Sequence, residues 1–235
     1  MIAHGEEFYF THFHGPLNSE LTLRPIPEPD LSAIPELSRF TKQAGVAVTP
    51  NLVFSAALLR LIDDTARVLS DPETLYLDPD TLGMWTTENP ARRENLKAFT
   101  ERERIKYAFL KKLTFGFQDS GVLLLLGTDA SAPGLFPGKS AHQEIGELVE
   151  AGLTPFEALR CATVNADEFL SAKLRKGLRS GCVRAGCAAD LILVEANPLR
   201  NVEAVSQIVG VMTRGKWLPK AELERLRDRA HEPQK

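Results

Sequence analysis

The stretch Gly121-Val-Leu-Leu-Leu-Leu-Gly-Thr-Asp129 decides how the rest of the chain is interpreted. Its apolar run has no polar interruption, which is typical of a strand buried on both faces of a parallel sheet. Asp129 stands where that strand leaves the core. Ligands and catalytic groups collect at this end of parallel strands, but an aspartate can also cap the next helix or close a turn. The stretch alone leaves both interpretations of Asp129 open.

The bulk composition is that of an ordinary globular protein. The chain has 235 residues, of which 43% are hydrophobic and 25% charged, which is enough for one large domain. A net charge of −3 predicts no nucleic-acid partner, and no apolar run approaches the ~20 residues that cross a bilayer. The N-terminus lacks the basic start and apolar core of a signal peptide, so the cytoplasm is the default compartment.

The three cysteines predict no disulfide framework, because they are few and odd in number. Cys182 and Cys187 are spaced more widely than a zinc knuckle requires, and no histidine lies near them. Both are therefore interpreted as ordinary thiols.

Helical and extended segments alternate over the first half of the chain, which predicts an α/β fold. A predicted helix over 34–45 is followed by a predicted strand over 46–53, and helix followed by strand is the repeating unit of a parallel sheet. Further helices are predicted over 54–69 and 91–117, the second leading into a strand over 122–126.

Three segments between these elements are predicted as loops. Residues 8–10 are aromatic, and residues 21–35 carry four prolines, which exclude a regular helix. Residues 71–90 contain three Asx-Pro turn signals together with aromatic side chains. A long aromatic loop is often a lid or a binding loop, and a surface excursion anchored by its aromatics is the alternative.

Capping signals mark the helices after Asp129. Residues 140–143 have a capping-box pattern that begins with Ser140, and Thr154 with Glu157 repeats that pattern around a proline. Asn165 is predicted to cap a third helix.

From Gly177 onward the pattern changes to short strands. A strand is predicted over 189–194, and residues 207–213 and 216–218 flank Arg214-Gly215 as a hairpin. A short polar helix is predicted over 221–230.

Together these segments resemble the C-terminal half of the amidohydrolase superfamily of metal-dependent hydrolases. The resemblance is greatest to the imidazolonepropionase-like and prolidase-like branch. The motifs that carry it follow one another in order over about the last 110 residues. They are Leu126-Gly-Thr-Asp129, Pro137-Gly-Lys-Ser-Ala-His142, Leu148-Val-Glu-Ala-Gly-Leu-Thr-Pro155, Glu157-Ala-Leu159, Ala162-Thr163, Asn165-Ala166, Ala189-Asp-Leu-Ile-Leu-Val194, Ala196-Asn-Pro-Leu199 and Arg214-Gly-Lys-Trp217. A weaker match covers Ala3-His4-Gly5 and residues 46–53.

The resemblance implies a (β/α)₈ barrel with a composite β-sandwich. This chain would hold about strands six to eight of the barrel in residues 1–176, a sandwich segment in 177–219 and a C-terminal helix and tail in 220–235. Asp129 is similar to the eighth-strand aspartate, which binds metal and accepts a proton from the attacking water. His4 is similar to the sixth-strand histidine, a second metal ligand.

The activity that the resemblance implies is hydrolysis of C–N bonds other than ordinary peptide bonds, or of dipeptide-like amides, by metal-activated water. A divalent metal, zinc in the first instance, supplies hydroxide near neutral pH, and a neighbouring carboxylate accepts the proton. The expected partner is a small amide or dipeptide-like substrate, with no membrane partner; assembly into a homo-oligomer stays open. His142 is a candidate substrate contact or a surface histidine, and Glu6 and Glu7 are candidate partners of His4 or solvated carboxylates.

The departures from the family pattern predict an incomplete site. A full barrel needs ~250 residues, and the first five strands with their H-x-H motif are missing, so a truncated chain is expected. His12-Phe13-His14 is a metal clamp by geometry if it ends a strand, but it follows His4 and is interpreted as a coincidence. The alternative function is a non-catalytic fragment or remnant that binds no metal. A nucleotide-binding domain is disfavoured because no glycine-rich strand-to-helix turn exists.

Overall fold

Helices make up most of the chain in the computed structural model, which describes residues 1–14, 28–87, 89, 96–173 and 179–231. The α-helices are, in chain order, α1 (Glu6–His14), α2 (Ile34–Gln43), α3 (Leu52–Asp63), α4 (Thr65–Leu69), α5 (Pro79–Thr87), α6 (Leu96–Asp119), α7 (Lys139–Glu150), α8 (Pro155–Ala162), α9 (Val164–Lys173) and α10 (Lys220–His231). Within these ranges no helix is long and apolar enough to cross a bilayer. Residues 21–27 of the predicted proline-rich loop and 91–95 of a predicted helix lie outside the described residues.

Three extended segments pair in parallel at the centre of the fold. Ile2 pairs with Val48, and Val48 pairs with Leu124. The backbone N–H of Ile2 donates to the carbonyl of Ala47 at 2.8 Å, and that of Leu125 donates to the carbonyl of Val48 at 2.9 Å. The two strands predicted around Val48 and Leu124 are therefore parallel neighbours, although each pairs over a shorter length than the sequence predicts.

Helix α6 covers these segments with its apolar face. Leu110, Leu113 and Phe117 are each at most 2% exposed, and Val48 and Leu124 are fully buried in the same core cluster. This burial of large apolar side chains is the main favourable contribution to the stability of the fold, at ~25 cal/mol per Å² of apolar surface removed from water.

The predicted aromatic loop over residues 8–10 is wrong, because these residues lie in helix α1. Tyr9 is 1% exposed and packs against Phe109 of α6 with the ring centres 5.8 Å apart. The H-x-H motif therefore lies in a helix and not at the end of a strand, which the metal clamp requires. This placement agrees with the interpretation of the H-x-H motif as a coincidence.

The helix predicted over 54–69 begins earlier and is interrupted. Helix α3 begins at Leu52, directly after the parallel segment, and ends at Asp63. Asp64 leaves the helical conformation with φ −152° and caps α4, accepting a hydrogen bond from the backbone N–H of Arg67 at 3.0 Å. One apolar periodicity thus extends over two helices that a capping aspartate separates.

The predicted loop over 71–90 contains helical structure. A 3₁₀ segment covers Pro72–Tyr76, and α5 covers Pro79–Thr87. Trp85 is fully buried, packs against Phe136 with the ring centres 5.0 Å apart, and donates its indole N–H to the carbonyl of Ser131 at 3.0 Å. The segment thereby anchors the loop that follows Asp129.

The capping predictions have different outcomes. Thr154 and Glu157 form the predicted capping box, with the Thr154 N–H donating to Glu157 at 2.8 Å. The capping box at Ser140 is wrong, because Gly138 precedes the first turn of α7 and no side chain caps it. The Ser140 hydroxyl is buried without a hydrogen-bond partner among the described residues.

Asn165 does not cap a helix, because it lies inside the first turn of α9. Its side-chain N–H donates to the carbonyl of Leu124 at 2.9 Å, and the N–H of Leu126 donates to the carbonyl of Cys161 at 3.1 Å. Backbone groups alternate in direction along a strand, so the carbonyl of Leu124 and the N–H of Leu126 both face away from Val48. Helices α8 and α9 therefore cover the outer edge of the Leu124 segment.

A separate antiparallel sheet follows in the order β1 (Leu191–Val194), β2 (Ile208–Thr213) and β3 (Lys216–Pro219). Arg214 and Gly215, with φ of 50° and 77°, connect β2 to β3, which confirms the predicted hairpin. Such a pair of positive φ angles is typical of the two-residue turn that matches the twist of a hairpin.

The prediction of two free thiols at Cys182 and Cys187 is wrong. The two residues form a disulfide with their Cα atoms 6.1 Å apart. Spacing along the sequence could not show this pairing, because a disulfide depends on the distance and direction of the two Cβ atoms.

Candidate active site

The three parallel segments run in the same direction, so their carboxyl ends lie at the same edge of the small sheet that they form. His4 follows Ile2 by two residues, and Asp129 follows Leu124 by five. The Val48 segment lies between them, so the two outer segments are about 10 Å apart at the usual strand spacing. The fold therefore places the two predicted ligands at the same edge, on either side of the residues that follow Val48.

His4 lies beside a chain of charged groups. Its Nδ1 is 3.6 Å from Glu6 Oε1, and Glu6 Oε2 is 3.0 Å from Lys106 Nζ. Lys106 also contacts Glu103 at 2.8 Å. Glu6 is thus a partner of both His4 and Lys106 and is not simply a solvated carboxylate.

Lys106 keeps its charge despite its burial. Its side chain is 4% exposed, and burial acts to lower its pKa. The carboxylates of Glu103 and Glu6 outweigh that effect and raise the pKa. This triad, in which Lys106 and Glu103 are buried and Glu6 is partly exposed, fixes the Glu6 carboxylate next to His4. The sequence offers no signal for it, because Lys106 and Glu103 look like part of a charged helix surface.

Asp129 is exposed and adopts a left-handed conformation with φ 58°. Its carbonyl accepts a hydrogen bond from the N–H of Ala132 at 3.0 Å, which closes a turn. The next helix is preceded by Gly138, so the carboxylate of Asp129 does not cap it. The side chain remains accessible for the chemistry predicted from its position.

His142 lies in the first turns of α7 and is half-buried. Burial lowers its pKa, which favours the neutral imidazole. A contact between His142 and substrate stays a prediction.

Asn51 lies beside the candidate site, and the sequence interpretation did not single it out. It follows Val48 by three residues, has φ 54° and is 7% exposed. It borders the same narrow crevice as His4 and Glu6, which has no room for a water molecule. Its side-chain Oδ1 is buried and has no hydrogen-bond partner within the described part of the chain. In the sequence, Asn51 stands directly before a helix, a position where asparagine usually caps the first turn. In the structure its side chain makes no cap hydrogen bond.

Gly127 lets the Asn51 side chain approach the Leu124 segment. A Cβ at Gly127 would collide with Asn51 Oδ1 and lie 2.9 Å from the Cβ of Thr49. Asn51 therefore lies between the segment of His4 and the segment that leads to Asp129.

Glu144 of α7 fixes the backbone beside Asn51. The N–H groups of Leu52 and Val53 donate to its two carboxyl oxygens at 3.2 and 2.7 Å. Burial raises the pKa of Glu144 to about 8, while these two donors act in the opposite direction. A carboxyl group at the first turn of α3 satisfies N–H groups that have no partner inside the helix.

The described residues do not by themselves complete a metal centre. A catalytic zinc takes three protein ligands and a water, and His4 with Asp129 would supply two. Across the described ranges, no group of three or more His, Cys, Asp or Glu side chains is arranged to hold a metal ion.

Comparison with known proteins shows which family part of the chain is similar to. Residues 111–218 match the sequence profile of the amidohydrolase family. Ochratoxinase from Aspergillus niger is 38% identical over 89 residues, which cover 37% of this chain and 17% of that protein. The resemblance to the amidohydrolase superfamily is therefore confirmed over residues 111–218.

Solved structures give the fold. Bottromycin amidohydrolase superposes with a TM-score of 0.66 at 23% identity, covering 98% of this chain and 48% of its own. A prolidase in complex with N-methylphosphonate-L-proline has a TM-score of 0.53 at 21% identity, covering 81% of this chain and 38% of its own. The chain spans about half the length of such relatives or less, and at these identities the likeness shows a shared fold alone.

Proposed function

We propose that this chain takes part in the hydrolysis of a C–N bond in a small amide or dipeptide-like molecule. The observation that carries the proposal is the placement of His4 and Asp129 at one edge of three parallel segments. In α/β folds with parallel strands, this edge is where catalytic groups collect. The family match of residues 111–218 supports the same chemistry.

In this proposal Asp129 acts as the general base. Water adds to the carbonyl carbon of the amide, its proton passes to the Asp129 carboxylate, and the C–N bond breaks to give an acid and an amine. Asp129 then returns the proton to the leaving amine. Its exposure leaves the carboxylate free to reach a bound substrate.

His4 is proposed to act as a ligand or contact at the same edge, held by Glu6. The zinc dependence and the barrel of strands six to eight that the resemblance implies are part of this proposal. The described residues offer only two candidate zinc ligands, His4 and Asp129, whereas a catalytic zinc takes three protein ligands. This shortage of ligands favours the alternative, a non-catalytic fragment that binds no metal.

The substrate class is proposed from the names of the structural relatives. One is a prolidase and another a Xaa-Pro dipeptidase with methionine in its active site. N-acyl amino acids, Xaa-Pro dipeptides and a small lactam therefore make up a suitable panel.

The test is to incubate the purified chain with this panel, with and without added zinc, and to measure amine release and bound metal together. We expect amine release that needs zinc and disappears in the Asp129→Asn variant. Asp119→Asn, which changes an exposed carboxylate at the end of α6, is the matched control. No amine release and no bound zinc would favour the non-catalytic alternative.

A further inference from the structure

The disulfide between Cys182 and Cys187 closes a short loop at the surface, just before strand β1. Both cysteines are partly exposed and the residues between them are exposed, Val183 by 86%. A thiol from solution can therefore approach the loop. Exposed disulfides are typically the labile, regulatory or catalytic ones, whereas structural disulfides resist reduction by thiols.

Reduction of this disulfide acts on the loop rather than on the whole fold. In the chain-entropy model a disulfide stabilises a protein more as the loop that it closes becomes longer, and this one closes only residues 182–187. The third cysteine of the chain, Cys161, is buried and free. A thiol reagent therefore has one disulfide to reduce in this chain.

The residues directly before the disulfide are docked on helix α9 at Asp167. The N–H and the hydroxyl of Ser180 donate to Asp167 Oδ1 at 2.8 and 3.0 Å, and Arg179 Nε lies 3.6 Å from Asp167 Oδ2. Asp167 is 5% exposed, and the hydrogen bond from the Ser180 N–H holds the pKa of its carboxyl below the ordinary value. This buried carboxylate thus depends on Ser180 for its closest partners.

Two further contacts connect the disulfide to this docking point. The N–H of Ala188, directly after the disulfide, donates to the carbonyl of Arg179 at 2.7 Å. Gly181, directly before the disulfide, lies so close to the junction of α8 and α9 that an added Cβ would be 2.6 Å from the carbonyl oxygen of Thr163. The disulfide therefore holds the two ends of residues 179–188, the docked connector, against each other and against α9.

Helix α9 is also part of the support for the candidate site. Its Asn165 side chain binds the carbonyl of Leu124, in the segment that leads to Asp129. The docked connector thus rests on the helix that covers the outer edge of this segment.

We propose that the Cys182–Cys187 disulfide is a redox switch, which clamps the docked connector onto α9 when oxidised and releases it when reduced by a small-molecule thiol such as glutathione. The thiolate of one glutathione attacks a sulfur of the disulfide and forms a mixed disulfide, and the other cysteine leaves as a thiolate that takes up a proton. A second glutathione then attacks the mixed disulfide. In sum, two glutathione thiols are oxidised to one disulfide and the protein gains two cysteine thiols.

Limited digestion with trypsin distinguishes the two states, because a protease cuts a folded chain only where it opens locally. Arg184 lies inside the disulfide-closed loop, and Arg179 lies in the docked part of the connector. Millimolar reduced glutathione, without denaturant, should add two thiols to the folded protein. After the glutathione is removed by gel filtration, trypsin should cut after both arginines about tenfold faster, as mass spectrometry of the fragments measures.

Treatment with oxidised glutathione should restore the slow cleavage. A disulfide that stays closed in millimolar reduced glutathione would overturn the proposal. Cleavage after Arg179 that is equally fast in the oxidised and the reduced protein would overturn it as well.

Two variants separate the disulfide from the docking point. The double variant Cys182→Ser/Cys187→Ser should be cut quickly with and without glutathione treatment. Asp167→Ala removes the acceptor of Ser180 but leaves the disulfide, so cleavage should become faster after Arg179 and stay slow after Arg184. Glu168→Ala is the matched control for Asp167→Ala, because Glu168 is exposed on the same helix.

Both variants are first checked for folding by circular dichroism. A folded double variant that is cut as slowly as the oxidised wild type would contradict the role of the disulfide. A folded Asp167→Ala variant that is still cut slowly after Arg179 would contradict the clamp on α9.

Discussion

The carboxyl group of Glu144 accepts the backbone N–H of Val53 at 2.7 Å, joining residues 91 positions apart in the sequence. This contact connects the helix after Asp129 to the helix that starts directly after the Val48 segment. It is made by a fully buried acid, which gives the stability of the protein a specific dependence on pH.

The first prediction concerns that pH dependence. The folded protein holds the pKa of Glu144 at about 8, against an ordinary value of 4.5, because burial disfavours the charged form. Between these values the folded state binds one more proton than the unfolded state, so stability falls as pH rises, by up to about 1.4 kcal/mol per pH unit. Urea unfolding at pH 5, 6, 7 and 8 measures this slope.

Glu144→Gln should remove that part of the slope, because an amide does not titrate in this range. It should also lower stability at pH 5 by about 1–3 kcal/mol, since its NH₂ group would face one of the two N–H donors. Glu150→Gln is the control, because the Glu150 side chain is 66% exposed. An unchanged slope in Glu144→Gln would show that Glu144 is ionised in the folded protein.

The second prediction concerns the buried charged triad. Lys106→Met would leave the carboxylates of Glu6 and Glu103 without their cation, which typically costs about 3–5 kcal/mol. Arg104→Met on the same helix removes an ion pair with Asp63 whose two side chains are more than half exposed. That control should change stability by about 1 kcal/mol or less. Equal small losses in the two variants would mean that water screens the triad.

The third prediction separates chemistry from folding at Asp129. Asp129→Asn should abolish amine release and leave the unfolding midpoint unchanged, because the residue is exposed and asparagine also tolerates its positive φ. Steady-state kinetics and thermal unfolding of the same preparation measure both effects. Activity that survives in the variant would mean that another group accepts the proton.

The fourth prediction concerns the space at Gly127. Gly127→Ala would place a methyl group against Asn51 Oδ1 and close to Thr49, and such overpacking typically costs about 1–3 kcal/mol. Gly83→Ala is the matched control because no heavy atom lies within 4 Å of its added Cβ. In helix α5 that change should stabilise by roughly 1 kcal/mol or less. Unchanged stability in Gly127→Ala would show that the backbone around Gly127 shifts to accommodate the methyl group at little cost.

Local chemistry made much of the fold predictable from the sequence. The capping box at Thr154 and the hairpin around Arg214-Gly215 depend on residues only a few positions apart, and the structure confirms both. The parallel arrangement was predictable because the segments at Val48 and Leu124 each follow a predicted helix, the repeating unit of a parallel sheet.

The candidate site was less accessible from the sequence, because its supporting contacts join distant parts of the chain. Glu144 looks like the exposed side of an amphipathic helix, and only its distance to Val53 shows that it is buried. Lys106 likewise has its partner Glu6 100 residues away. The misassigned cap at Asn165 has the same cause, since its side chain binds the carbonyl of Leu124 rather than its own helix.

The hydrogen bond from Asn165 to the carbonyl of Leu124 affects how the protein opens locally. The N–H of Leu126 and the carbonyl of Leu124 are held by Cys161 and Asn165, which belong to helices α8 and α9. The Leu126 amide hydrogen can exchange with solvent deuterium only after α8 detaches, while the Leu125 amide depends on Val48. Exchange at two neighbouring amides therefore reports separately on the undocking of the C-terminal helices and on the separation of the parallel segments.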